Sequence, residues 1–290
     1  MRNGSERPDD FKTERLNVRR MDADEVEFAI DLAASEGWNP GIHDGRCFYA
    51  TDNDGFFLGE LDGEPIGCVS AVTYGNDFGF MGLYVVRPEF RDKGLGTRIF
   101  ETGLEYMAGR NVGGNSVLHQ EEYYKAYGFR RGYHNSRYQG TGGGNVPSGV
   151  MDVSQVSFDD LLDYDTALFG HPRPEFLRCW IDQPEGAAMA IVKNGRLAGY
   201  GVIRRCHTGY KVAPLFADRE QIAEDLFVAL KSGVPGQPIF LDVPERNPAA
   251  IVLAERHDMT VVFQTIRVYI KGEPSIPLER WYGVTSFELG

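Results

Sequence analysis

The sequence of 290 residues is as informative in what it lacks as in what it holds. No apolar run approaches the ~18 residues that span a bilayer, so no membrane partner is expected. Cysteine is scarce: Cys47, Cys68, Cys179 and Cys206 stand singly, with no CxxC pair. That pattern predicts buried free thiols in a reducing cytoplasm and no disulfide framework. Six histidines and four cysteines show no metal-ligand spacing, and no metal is expected. Positive charge is in deficit, with 30 Lys+Arg against 42 Asp+Glu and a net charge of −12. Neither half escapes the deficit, residues 1–145 carrying −7 and residues 146–290 carrying −5. Duplex nucleic acid is thereby excluded as the main partner, while a cationic substrate stays open. The polar, charged start, Met1 to Asp10, is no signal peptide. With 42% hydrophobic and 25% charged residues the chain is nonetheless of ordinary folded composition.

Glycine is abundant, at 35 residues, and part of it gathers in Gly140-Thr141-Gly142-Gly143-Gly144-Asn145, followed by Pro147 and Gly149. This reads as a flexible linker over 141–149, between units at 1–140 and 150–290. The two units resemble each other. Phe57 to Val72 reads strand, Asp62-Gly63 turn, strand; Ala188 to Arg204 reads the same about Asn194-Gly195. Gly63 and Gly67 correspond to Gly195 and Gly199, 132 residues on, and Phe129 and Arg137 to Met259 and Arg267, 130 on. A near-constant offset over separate elements indicates a tandem duplication. In the first unit a strand over 16–21 leads through a capping pair, Asp22 and Glu25, to a helix with Val26, Ile30 and Ala33 on one face. After the hairpin come an apolar strand, Phe80 to Val86, and a helix bearing Leu95, Ile99 and Met107. A short strand at Ser116 to Leu118 and a helix at Glu121 to Tyr127 complete it. The predicted order is β-α-β-β-β-α-β-α-β, a mixed α/β sheet in each unit.

The chemistry is concentrated in Val85-Val86-Arg87-Pro88-Glu89-Phe90-Arg91-Asp92-Lys93-Gly94-Leu95-Gly96-Thr97. A strand ends before Pro88, and the chain turns through glycines into a helix. A helix start offers unpaired N–H groups and partial positive charge, which suit a diphosphate, and glycines let the backbone approach it. Arg87, Arg91, Lys93 and Arg98 place four cations within twelve positions of an acidic chain. The pattern is neither a Walker loop nor the three-glycine dinucleotide fingerprint.

Arg91, Gly94 and Gly96 match the Arg/Gln-x-x-Gly-x-Gly/Ala signature of the GCN5-related N-acetyltransferases, and Val86 to Pro88 match its Val-x-Pro strand end. Tyr124, Gly128 and Phe129 match that family's Tyr-x-x-x-Gly-Phe. The chain resembles a tandem subgroup of the family over nearly its whole length, through Gly37-Trp38-Asn39-Pro40-Gly41, Gly55-Phe56-Phe57 and the tail Gly283 to Gly290 as well. The resemblance implies acetyl-CoA as co-substrate and transfer of its acetyl group to the amine of a small molecule. Tyr84, Val85 and Val86 would pair with the pantetheine, and a backbone N–H of Val85 or Val86 would polarise the thioester carbonyl. Arg91, Asp92, Lys93, Gly94, Leu95, Gly96 and Thr97 would hold the pyrophosphate. Tyr124 would protonate the departing thiolate, a role that suits a phenol protonated at neutral pH.

Several roles stay open at this level. The strand before the loop, Phe80-Met81-Gly82-Leu83-Tyr84, carries no carboxylate, so Asp44, His119, Glu121 and a water chain all remain as possible bases. The tail offers another: Gly290, through a terminal carboxylate, or Glu288 could enter the site. In that case removing Ser286 to Gly290 is expected to cut turnover far more than stability. Trp38, Asn39 and Asp44 are expected to border the acceptor, with Phe169 to Arg173 covering the same pocket from the second unit. That unit departs from the signature. Pro214-Leu215-Phe216-Ala217-Asp218-Arg219-Glu220 has no glycine pair and puts acids where phosphate would sit, so one cofactor site is expected, in the first unit. A non-catalytic CoA-binding module and a protein or peptide acceptor are the alternatives. Oligomeric state is not legible.

Overall fold

Asp62 and Gly63 both take positive φ, 56° and 83°, and Asn194 and Gly195 repeat the pair at 53° and 74°. Such a pair of residues reverses the chain tightly enough to join two twisted strands. In the computed structural model, which describes residues 15–290, each turn closes the hairpin expected of it. Residues 1–14, including the start read as free of a signal peptide, lie outside the described residues.

The first unit runs β1 (Leu16–Arg20), α1 (Val26–Ser35), α2 (Asp44–Thr51), β2 (Phe56–Leu61), β3 (Glu64–Tyr74), β4 (Phe78–Val86), α3 (Leu95–Tyr106), β5 (Asn111–Val117), α4 (Glu121–Ala126) and β6 (Arg130–Thr141). The second repeats it: β7 (Met151–Asp152), α5 (Phe158–Phe169), α6 (Pro174–Ile181), β8 (Ala187–Lys193), β9 (Arg196–Arg205), β10 (Tyr210–Ala217), α7 (Glu220–Ser232), β11 (Pro238–Pro244), α8 (Pro248–Arg256) and β12 (Thr260–Tyr269). A last strand, β13 (Trp281–Gly283), has no counterpart in the first unit. The order matches expectation apart from α2 and α6, an extra helix in each unit. Val26, Ile30 and Ala33 are buried on one face of α1, and the Asp22–Glu25 capping box is present. β5 begins at Asn111, five residues before its predicted start. Gly113 and Gly114 carry no side chain from which to read alternation, and they pack under Phe80 and Tyr124 instead.

All thirteen strands form one sheet, β1-β2-β3-β4-β5-β12-β6-β11-β10-β9-β8-β7, with β13 attached to β10. The junction is an exchange of final strands. β12 of the second unit pairs with β5 of the first, and β6 of the first pairs with β11 of the second. β6 and β12 then pair antiparallel with each other. This corrects the picture of two units on a flexible tether. Gly140 lies in the β6–β11 ladder, and the Gly142 and Gly143 N–H groups donate to Gln237 and Lys231 carbonyls at 2.8 and 2.7 Å.

Helices α2 and α6 pack against each other across the units, Phe48 stacking on Trp180 at 5.9 Å between ring centroids. Beside them the cysteine reading needs correction: Cys47 and Cys179 are joined in a disulfide, and only Cys68 and Cys206 are free thiols. Each reads as a lone cysteine in the sequence, whereas pairing of the equivalent helices α2 and α6 brings the two together. The argument for a reducing compartment loses half its basis accordingly. No helix among the described residues is long and apolar enough to cross a membrane. Four buried ion pairs knit the interior: Asp44–Arg204, Asp242–Arg137, Asp242–Lys211 and Asp165–Arg173.

Candidate active site

β4 and β5 run parallel and pair from Phe78–Asn111 to Met81–Gly114, then separate. The separation opens a wedge in the sheet, walled by Tyr84, Val85 and Val86 on one side and Asn115 and Val117 on the other. The cleft there has a volume of about 760 Å³. At its mouth the chain makes a 3-10 turn over Pro88–Phe90 and then passes through Asp92 (φ 59°) and Gly94 (φ 73°) before α3 begins. Positive φ at Gly94, the residue before the helix, is what glycine supplies cheaply. Gly96 answers a different need: a Cβ there would lie 2.6 Å from the Tyr84 hydroxyl and 3.0 Å from Val86 Cγ2. Leu95 is fully buried and anchors the helix start, leaving its backbone for the cleft.

Arg91, Asp92, Gly94, Gly96 and Thr97 line the cleft. The cations, however, are engaged with the protein. Arg91 Nε donates to the Val86 carbonyl at 2.7 Å and its other end pairs with Glu36, Lys93 Nζ donates to the Glu89 carbonyl, and Arg87 pairs with Glu64 at 2.8 Å. Arg91 and Lys93 thus brace the loop, and the N–H groups of the α3 start are what the loop presents to an anion.

Tyr124 closes the inner end of the wedge. It is buried, held edge-on between Phe100 and Phe129 at 5.5 and 5.2 Å, and its carbonyl accepts from the Tyr127 and Phe129 N–H groups. Gly128 (φ 86°) makes the turn that returns Phe129 to it. Burial pushes the Tyr124 phenol well above its ordinary range, so it stays protonated. Burial does the same to Tyr84, whose hydroxyl reaches Tyr123 at 3.3 Å.

Beneath the cleft lies a recess of about 30 Å³ shared by Trp38, Tyr124, Phe263, Thr265, Phe287 and Glu288. Four of those six come from the second unit's β12 and tail, and of these only Glu288 was offered by the sequence; Phe263, Thr265 and Phe287 arrive through the strand exchange and the returning tail. The tail is buried throughout residues 281–290. β13 fills the position beside β10 that the open wedge occupies beside β4, pairing Leu215 with Gly283 and Phe216 with Trp281. The chain then crosses back to the first unit. Arg173 donates to Thr285 Oγ1 at 3.0 Å, Asn115 Nδ2 to the Phe287 carbonyl at 2.8 Å, and the Tyr74 hydroxyl to the Leu289 carbonyl at 2.9 Å. A Cβ on Gly82 would lie 1.9 Å from the Glu288 carbonyl oxygen. Between the two tail groups, Glu288 faces the recess while Gly290 packs at Phe80 and Phe169. So buried a segment contributes to stability as well, and its removal is expected to lower stability along with turnover.

The acceptor loop divides. Trp38 lines both cleft and recess. Asn39 faces away, its amide exchanging hydrogen bonds with Thr208 at 3.0 and 2.8 Å. Asp44 is fully buried and bound to Arg204, at 2.8 and 3.1 Å, and to the Gly41 N–H. Burial alone would raise its pKa; the Arg204 charge and hydrogen bonds outweigh that and hold it below the ordinary carboxylate value. Asn39 and Asp44 therefore fasten the loop to the second unit, a task that resembles substrate binding only in sequence. Arg173 and its neighbours likewise hold the tail from behind. Of the other possible bases, His119 lines the outer cleft and Glu121 pairs with Arg131 and Lys125.

Comparison with known proteins bears on this geometry. The acetyltransferase (GNAT) family model matches residues 24–129, and an acetyltransferase (GNAT) domain model matches residues 161–283. The holothin acyltransferase of Pseudoalteromonas sp. (strain SANK 73390) is 29% identical over 270 residues, 92% of either chain. The crystal structure of a proposed acetyltransferase from Pyrococcus horikoshii superposes with a TM-score of 0.82 at 20% identity, over 96% of both chains. A tandem GNAT protein from the clavulanic acid biosynthesis pathway gives 0.64 at 13% identity, over 90% of this chain and all of that one.

Proposed function

Because this chain belongs to the GCN5-related N-acetyltransferase family, with two such domains in tandem, we propose that it transfers an acetyl group from acetyl-CoA to the amine of a small molecule in the wedge between β4 and β5. The observation that carries the reading is the conjunction, in one cleft, of a glycine-rich α3 start at the mouth and a buried, protonated tyrosine at the inner end. Residues 1–140 supply the cofactor's wall and residues 150–290 close the acceptor's side.

Acetyl-CoA brings a thioester carbonyl open to a nucleophile and a thiolate that must be protonated as it leaves. The N–H groups from Asp92 to Thr97 suit its pyrophosphate, and the space kept by Gly96 suits the chain that follows. The Arg87 N–H bonds the Ile66 carbonyl on β3. Ladder alternation therefore turns the Val86 N–H away from β3 and toward the wedge, favouring Val86 over Val85 for polarising the carbonyl. Tyr124 holds the proton for the thiolate. The second unit is assigned no cofactor of its own, since β13 fills the matching place beside β10. The tight recess, walled by Trp38, Phe263 and Phe287, supports a small acceptor over a polypeptide. The relative's name supports acyl transfer as the reaction.

Calorimetry with acetyl-CoA, followed by a screen of amines, amino acids and peptides for thiol release, tests the reading. Binding without transfer to any amine would reduce the chain to a CoA-binding module.

A further inference from the structure

The recess beside Tyr124 holds two polar groups that the described residues leave without partners. The Thr265 Oγ1, in a residue 2% exposed, has no hydrogen bond. Glu288 is 3% exposed; its backbone N–H is taken by Ser286 Oγ at 3.0 Å, whereas no hydrogen bond among the described residues reaches its carboxylate. Buried polar atoms are normally satisfied, and an orphan in a cavity wall marks where a ligand group belongs. Both groups accept hydrogen bonds, so the ligand group they fit is a donor.

Charge points the same way. Glu288 lies within the fields of Arg137 and Arg204, which are committed to Asp242 and Asp44. Lys211 also turns to Asp242, at 3.8 Å. Glu288 is thus a third acidic side chain set beside these buried cations. Most of the remaining wall is apolar or aromatic, Trp38, Phe263 and Phe287 among it, and its polar Asn115 is spent on the Phe287 carbonyl; the Arg137 guanidinium lies behind Phe263 and Phe287 at 5.6 and 5.0 Å. A volume of about 30 Å³ admits an amino group and the carbon bearing it, roughly one or two water-sized groups.

We propose that Glu288 is the general base of the transfer and that, with Thr265, it selects a primary amine carried on a small apolar or aromatic body. The assignment rests on the acetyl-transfer reading above. As the amine nitrogen bonds to the thioester carbon and the carbon–sulfur bond breaks, the proton released by nitrogen passes to the Glu288 carboxylate, and the Tyr124 proton passes to sulfur. Water in the cleft then returns a proton from Glu288 to the tyrosinate, so that amine and thioester become amide and thiol with both side chains restored. The fixed position comes from the backbone: Gly82 admits the Glu288 carbonyl, and Ser286, Asn115 and Tyr74 hold the tail on either side. A base grafted from the second unit explains why β4 needs no carboxylate of its own.

The experiment compares the full-length wild type with Glu288→Gln, Glu288→Asp and Glu288→Ala, using acetyl-CoA and a panel of aliphatic and aromatic primary amines. Thiol release, acetyl-CoA affinity and melting temperature are read for each. The expected result is a kcat at least ~100-fold lower in Glu288→Gln with acetyl-CoA affinity unchanged, partial retention in Glu288→Asp, and turnover by Glu288→Ala restored by added formate in proportion to its concentration. A merely structural carboxylate would not respond to formate. Wild-type transfer with Glu288→Gln within threefold of it overturns the assignment alone. So does a loss in every variant that follows the melting temperature and is not rescued. Absence of acetyl-CoA binding by the wild type overturns the acetyl-transfer reading, and this one with it.

Discussion

Cys47 and Cys179 are bonded to each other across 132 residues, and 132 is also the spacing from Gly63 to Gly195 and from Gly67 to Gly199. The disulfide therefore joins the same position of the two repeats. Phe48 and Trp180, next along the chain, stack on each other at the same offset. A cross-link closing so long a loop is expected to stabilise by about 2–4 kcal/mol, chiefly by restricting the unfolded chain. The Cys47→Ser, Cys179→Ser double variant should melt several degrees lower than the oxidised wild type, and wild type under strong reductant should follow it. A melting temperature indifferent to reductant would count against the bond.

Gly96 is where the cofactor wall tolerates no side chain. In Gly96→Ala the added carbon meets the Tyr84 hydroxyl, whose ring is fixed against Phe100 and Tyr123. Displacing that ring narrows the wedge, and acetyl-CoA should bind about tenfold more weakly, a loss of about 1.4 kcal/mol by calorimetry. The melting temperature of the unliganded protein should change little. Equal affinity in the variant would show that the cofactor lies elsewhere.

Tyr124→Phe removes one oxygen and keeps the ring contacts to Phe100 and Phe129. Its kcat should fall about 100-fold with acetyl-CoA binding and melting temperature preserved. The sign of the pH effect follows from burial. The acid form is the working form, and a phenol raised above its usual value of about 10 loses its proton only at still higher pH. Wild-type turnover should show no alkaline loss attributable to this group below about pH 10. A variant with wild-type turnover refutes the assignment.

Asp44 is a matter of stability. Removing its charge leaves Arg204 buried and unpaired, which costs about 3–5 kcal/mol. Asp44→Asn should accordingly melt far below wild type at pH 7. The carboxyl is held below its ordinary value in the folded chain, so its contribution is complete above about pH 4, where the unfolded group is ionised, and disappears as pH falls further. The gap between variant and wild type should shrink in acid. A constant gap from pH 7 to pH 3 would falsify this account.

How much of this could be read from the chain alone depends on whether the signal was local. The hairpins were legible because Asp62-Gly63 and Asn194-Gly195 encode their own turns. The loop from Arg91 to Thr97 was legible because strand end, glycines and helix start are consecutive. Asn39 and Asp44 stood in the right segment, but whether a polar residue faces a ligand or a buried arginine depends on partners 160 or more residues away. Thr265 and Phe263 could not be assigned to the site, since nothing in β12 says that it pairs with β5. The disulfide was the one distant contact within reach: the offset that revealed the duplication pairs Cys47 with Cys179.

The exchange of β6 and β12 bears on the order of synthesis. β5 meets its outer neighbour only when residues 260–269 exist, and β6 lies against β11 and β12, both made later. An emerging chain cannot complete its first unit while the second is still being made. Through that interval β5 carries an unpaired edge of the kind that recruits foreign strands. A separately expressed first unit would hold that open edge permanently.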